Sequence, residues 1–137
     1  MESRVQDAIS AVSIVCTKGN GSNSLETIER KVFLPSMTEM GVTESRYNVE
    51  GVAFTYFNND ERRKALFNGT TQDYWTRTPD KTLTNYMGVI QNSGYLTNGN
   101  PATSQRGFRP VFTLPHDFEV SLSAANTANA TASTEVI

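Results

Sequence analysis

Apolar and polar positions divide the chain into a mixed first half and a second half of short β-type runs. In the first segment, RVQDAISAVSIVC, the apolar residues fit neither helical nor strand period cleanly, and both readings stay open for it. Val12 to Cys16, rich in β-branched residues, favours a strand. Lys18 to Ser24, KGNGSNS, is a turn or loop, and KVFLPS, Lys31 to Ser36, predicts a short buried strand halted by Pro35. Next, Ser36 and Glu39 stand at the spacing of a capping box, in which each side chain satisfies the other's free backbone N–H, and Gly41 ends the resulting single turn. The aromatic-rich VAFTYF, Val52 to Phe57, predicts a buried segment. In NNDERRKALFNG, Asn59 caps a helix, Asp60 and Glu61 suit its positive end, Ala65, Leu66 and Phe67 close its apolar face and Gly69 ends it. From Tyr74 onward the runs YWTRT, NYMGVIQ, GYLT and GFRPVFTL, broken at PDKT, NSG and NGNPATSQ, predict strands joined as antiparallel hairpins. The last stretch, Ser123 to Ile137, has few bulky apolar residues and predicts an extended tail.

Strand alternation makes two arginines stand out. In YWTRTP it places Trp75, Arg77 and Pro79 on one face, so a guanidinium lies beside the chain's one tryptophan; in GFRPV, Gly107, Arg109 and Val111 share a face. Either arginine could hook a ligand or serve as an internal strut. The strut is preferred, because a buried guanidinium can stack on a ring and donate five hydrogen bonds to backbone that a small sheet leaves unsatisfied. Trp75, Arg77, Gly107 and Arg109 are therefore the expected structural set.

Composition removes several classes of function. A chain of 137 residues suggests one domain, and its formal net charge of −2 supplies no basic field for phosphate, so no nucleic-acid partner is expected. Arg62, Arg63 and Lys64, preceded by Asp60 and Glu61, read as a solvated helix face. One cysteine, Cys16, and one histidine, His116, exclude an intrachain disulfide and a Cys/His zinc site. Cys16 follows an apolar run and reads as a structural thiol rather than a nucleophile. No stretch has the roughly 20 apolar residues of a membrane span, and MESRVQDAIS lacks the apolar core of a signal peptide. No membrane insertion is expected, and the Asn-X-Ser/Thr matches at Asn20, Asn68 and Asn129 are read as chance. Glu39 has no visible carboxylate partner, no phosphate loop is present and His116 stands alone, so an enzyme is not expected and neither is a cofactor or metal.

Four ordered blocks, KVFLPSMTEMG, EGVAFTYFNNDERRKAL, YWTRTP and RGFRPVF, carry a family resemblance over roughly residues 31–114. Together they resemble a domain of unknown function that recurs in bacterial and phage proteins and is recognised by Phe-Leu-Leu-Ser, Trp-Leu-Arg-Ser-Pro and Gly-Val-Arg-Pro. That domain is similar in pattern to C-type-lectin-like folds, including sulfatase-modifying-factor-type domains. The resemblance implies an α+β, C-type-lectin-like fold with small antiparallel sheets, one or two short helices and long irregular loops. It also implies a setting in virion or prophage structural proteins. The Glu-Pro-Asn, Gln-Pro-Asp and Trp-Asn-Asp triplets of calcium-dependent lectins are absent, and the one cysteine lies outside the shared blocks, so neither the calcium site nor the formylglycine-generating chemistry carries over. The organisation expected is an N-terminal docking segment or first strand at residues 1–29, the lectin-like domain at 30–122 and the tail at 123–137.

The candidate binding residues lie between the two arginine motifs. The stretch from Asn85 to Arg106 is rich in Asn, Tyr, Ser and Gly, a mixture suited to binding loops, and Tyr86, Asn92, Tyr95, Asn98 and Asn100 are the expected ligand contacts. Tight hairpin turns use the same Asn and Gly residues, and that reading stays open. The expected function is that of a non-enzymatic phage virion structural protein, whether capsid decoration, head-fibre or tail-associated, displaying its domain on the virion surface after synthesis in the host cytoplasm. Its partners would be capsid or tail proteins, and self-association into a homo-oligomer is allowed. The alternative is a metal-independent adhesin module that binds a glycan or protein of the host surface.

Overall fold

The computed structural model describes residues 3–19, 21–95 and 99–119. The chain is a small α+β protein with short helices and mostly antiparallel sheets. Helix α1 (Ser3–Ala8) leads into strand β1 (Val12–Thr17), so the first segment contains both of the structures its ambiguous period allowed. β1 pairs antiparallel with β2 (Leu25–Arg30), with Ile14 opposite Ile28. The domain boundary expected between residues 29 and 30 falls inside β2. β2 has the sequence LETIER, in which only Ile28 is drawn partly inward. The run KVFLPS, expected to be the strand here, makes only an isolated bridge between Phe33 and Val111. Lys31 and Val32 are exposed because β2 already supplies β1's partner, and the chain turns inward only at Pro35 and Ser36.

The centre of the core is built by the single turn that follows. Ser36 N–H donates to Glu39 Oε2 (2.9 Å) and Glu39 N–H donates to Ser36 Oγ (3.0 Å), the reciprocal pair of a capping box. Gly41 N–H to Thr38 O (2.9 Å) and Val42 N–H to Met37 O (2.9 Å) close its other end as a Schellman motif. With both ends satisfied locally, Met37, Met40 and Val42 point into a core completed by Tyr47, Tyr74 and Ile90, with Phe57 and Ala65 packed against it.

Beyond the core turn, the predicted buried run VAFTYF instead lies near the surface. Val52 is 80% exposed, and only a 3-10 turn at Thr55–Phe57 gives the segment regular structure. Helix α2 (Asp60–Arg63) has the expected Asn59 cap, whose side chain accepts from Arg62 N–H (3.0 Å), but it ends at Arg63. Ala65, Leu66 and Phe67 are not its apolar face. They form β3 (Ala65–Phe67), paired antiparallel with β4 (Thr70–Gln72). Asn68 (φ 49) and Gly69 (φ 77) are both left-handed and make the two-residue turn between the strands, a conformation that Asn-Gly tolerates and most residues do not.

The largest sheet runs in the order β7 (Asn100–Pro101), β6 (Tyr86–Ile90), β5 (Tyr74–Pro79), β8 (Gly107–Phe108). β5, β6 and β7 are antiparallel neighbours, but β8 joins β5 parallel, against the expectation of hairpins throughout. β7 lies in the stretch read as a break. No strand forms at GYLT among the described residues, where Leu96 and Thr97 lie outside the description. The tail, Ser123 to Ile137, also lies outside it.

Candidate binding face

A bulge in β5 sets the first strut. Trp75 pairs with Val89 and Pro79 with Met87, so Thr76, Arg77 and Thr78 stand opposite Gly88 alone. The crowded backbone turns, Arg77 N–H leaves the ladder to donate to Pro35 O (3.0 Å), and simple alternation of faces fails. Trp75, Thr76 and Thr78 are all buried. The ring beneath the guanidinium is that of Phe33, 5.6 Å away. Arg77 donates from Nη1 and Nη2 to the two carboxylate oxygens of Glu39 (2.7 and 2.6 Å), from Nη1 to Leu34 O (2.9 Å) and from Nη2 to Val15 O (3.1 Å). Burial alone would push its pKa down; the Glu39 carboxylate outweighs that and holds it above the ordinary value. Behind it, the wholly buried Glu50 accepts from Thr17 N–H (2.8 Å) and Thr78 Oγ1 (2.7 Å), tying the end of β1 to β5. Cys16 lies beside this cluster, and burial pushes its thiol pKa up despite Arg77, which disfavours the thiolate that a nucleophile needs.

The second strut joins α2 to the sheet. Arg109 lies over the rings of Phe57 (4.9 Å) and Tyr74 (5.6 Å) and donates from Nη1 to Arg63 O (3.0 Å). Tyr74 Oη donates to the same carbonyl (2.6 Å). Burial raises the Tyr74 pKa, with Arg109 pulling against it. Arg63, expected on a solvated face, is buried: its Nε donates to Met40 O (2.8 Å) and its Nη1 to Asp60 Oδ1 (2.6 Å). The early end of α2 causes this, because the chain turning into β3 folds the last helical side chain under the core turn. Arg62 remains outside, over the ring of Tyr56.

These braces leave two open troughs that meet at Gln72 and Gly107. The polar one, of ≈ 400 Å³, is lined by Gln72, Asp73, Asn92, Gln105, Arg106 and Gly107. Asp73 Oδ1 accepts from Asn92 N–H (2.8 Å) and its Oδ2 lies 3.3 Å from Arg106 Nε. Arg106 also donates to Asn100 Oδ1 (2.7 Å) and Gln105 O (2.7 Å). Gly107 N–H donates to Asp73 O (2.8 Å), and a Cβ there would sit 3.1 Å from that oxygen, so this close seam suits glycine. The apolar trough, of ≈ 450 Å³, has Tyr74 and Ala65 in its lining and is rimmed by Leu66, Phe67 and Phe108, which are 59%, 68% and 72% exposed.

The expected contacts are divided by this geometry. Asn92 lines the polar trough, and Asn100 is one hydrogen bond from it through Arg106. Tyr86 is half-buried at the opposite end of β6 from Ile90, about 13 Å along the strand. Tyr95 is exposed beyond a turn in which Gln91 N–H donates to its carbonyl (3.0 Å), and Asn98 lies outside the described residues. No motif or spacing in the sequence marks Asp73, Gln105, Arg106 or Phe108 for this site, and Phe67 reads there as part of a helix face. The Asn68-Gly69 pair was the available signal for the hairpin that displays Phe67. Among the described residues no group of three or more His, Cys, Asp or Glu side chains could hold a metal ion, and no helix is long and apolar enough to cross a membrane.

A family model described as Domain of unknown function (DUF6273) matches residues 1–116, a span that includes the β1–β2 hairpin and both struts. No curated protein and no solved structure matches the chain.

Proposed function

We propose, from the premise that this chain belongs to the family of Domain of unknown function (DUF6273), that it is a non-enzymatic structural protein of a phage virion, displaying a C-type-lectin-like domain on the particle surface. The observation that carries the reading is the rim of Leu66, Phe67 and Phe108, exposed together around one trough on a frame braced by Arg63, Arg77 and Arg109. Three large apolar side chains gathered around one opening suit a contact surface, and capsid or tail proteins are the partners of the virion reading. Short antiparallel sheets joined by long connections support the lectin-like assignment, as do the ordered sequence blocks around Pro35, Trp75 and Arg109.

Gradient-purified particles from a host carrying the gene test this directly. The protein is expected to co-sediment in stoichiometric amount and to be labelled by antibody on intact particles. Its absence from purified particles would overturn the reading. A metal-independent adhesin is the second reading, favoured by the polar trough beside the apolar one.

A further inference from the structure

We propose that the two adjoining troughs form one metal-independent binding site for a neutral saccharide. This rests on the second reading above, a metal-independent adhesin with this face displayed, and it adds the chemical class of the ligand.

Charge comes first. Asp73 and Arg106 face one another and are largely spent on each other and on Asn92 N–H, Asn100 Oδ1 and Gln105 O. The pair leaves little net field in the trough, so neither an anion nor a cation is selected. A nucleic acid would further need clustered cations to neutralise phosphate, and the chain's formal net charge is −2.

Hydrogen bonding narrows the class. The side-chain amides of Gln72, Asn92 and Gln105 line the trough and make no hydrogen bond within the described chain. Each offers an acceptor and two donors, and each sugar hydroxyl both donates and accepts, so neighbouring hydroxyls can be met in pairs. Arg106 retains unspent N–H groups on both Nη atoms for further hydroxyl oxygens. A wholly apolar ligand would instead strand these amides without water, at a cost for each.

The other half of the site supplies area. Phe108 directly follows Gly107, which both troughs share, and it lines the apolar trough together with Phe67, the two residues being 72% and 68% exposed. A pyranose presents hydroxyls around its edge and C–H groups on its faces, so it can meet amides on one side and lie against an exposed ring on the other. So open a site gives weak monovalent binding, and multivalent display raises it.

The test is an array of neutral, sialylated and sulfated glycans, probed with the folded full chain held multivalently on streptavidin, with and without EDTA. Binding to neutral glycans is expected, unchanged by EDTA. Asn92→Ala and Phe108→Ala should each reduce it by about tenfold or more with no change in melting temperature, since both side chains are exposed. Silence on every neutral glycan, binding confined to charged glycans, loss in EDTA, or full binding by both variants would each overturn the proposal. Incorporation of the same variants into particles is scored separately: particles that carry them but have lost glycan binding support the site, whereas particles lacking even the unmodified chain overturn only the virion reading.

Discussion

Arg77 grips Glu39 through both carboxylate oxygens, at 2.7 and 2.6 Å, with the two side chains 9% and 7% exposed. Glu39 is also half of the capping box, and Arg77 is the only donor holding Val15 O and Leu34 O together among the described side chains. One guanidinium thus ties the core turn, β1 and the entry to that turn onto the bulge of β5.

Arg77→Ala is expected to lower unfolding free energy by about 3–5 kcal/mol, because it leaves Glu39 a buried, unpaired charge. Arg77→Lys should recover only a minor part, since an ammonium cannot reproduce the planar fork. Urea unfolding measures both, and wild-type midpoints would refute the strut.

Adjacent arginines should behave oppositely. Arg63→Ala removes the donor to Met40 O and is expected to cost about 2–3 kcal/mol, while Arg62→Ala, on the surface, should change stability by less than about 0.5 kcal/mol. Melting curves of the two variants side by side decide it.

Two buried groups contribute, in opposite directions, to the change of stability with pH. Burial pushes the Asp80 carboxyl up, but bonds from the amide and hydroxyl of Thr82 and the amide of Leu83, with Arg46 beside it, outweigh that and hold it below the ordinary 3.8. The folded state therefore binds this proton less tightly than the unfolded chain, so its stabilisation is complete above pH 3.8 and is lost as pH falls from there through the folded value. Tyr47 does the reverse. Burial raises its phenol from 10.0 to about 12, so its stabilisation is complete below pH 10.0 and is lost as pH rises through about 12. Asp80→Asn should make the acid limb of a stability–pH profile less steep and Tyr47→Phe the alkaline limb, with Tyr74 and Cys16, also raised by burial, leaving a residual alkaline slope.

Gly94 (φ 82) marks a contact with no room for a side chain: a Cβ there would overlap the Asp60 carbonyl. Gly94→Ala is expected to cost about 2–3 kcal/mol and to push the turn from Gln91 to Tyr95 off α2, carrying Asn92 out of the polar trough. Amide chemical shifts should change around α2 and residues 91–95 and stay fixed in the β1–β2 hairpin.

The parts of the fold legible in the sequence are those that satisfy themselves locally. The Ser36 and Glu39 box and the Asn59 cap each close over three residues, so their chemistry is visible in a short window. Ala65 to Phe67 shows the limit of such a window. A three-residue apolar run fits a helix face as well as a strand, and the Asn68-Gly69 turn that distinguishes them lies just past it. β2 is not legible in the sequence for another reason: most of LETIER faces outward, so it carries little apolar signal.

Short windows of sequence record the kind of local bond each segment can close, along with the near-neutral charge, the single cysteine and the supply of arginines and polar loops. Folding of the whole chain brings Arg77 to a carboxylate 38 residues away, turns Arg63 inward while Arg62 stays out, and joins Asn92 but not Tyr86 to Asp73 and Arg106. A buried charge or a shared trough depends on partners brought near by chain closure, and neither spacing nor periodicity within one segment records which distant groups those will be.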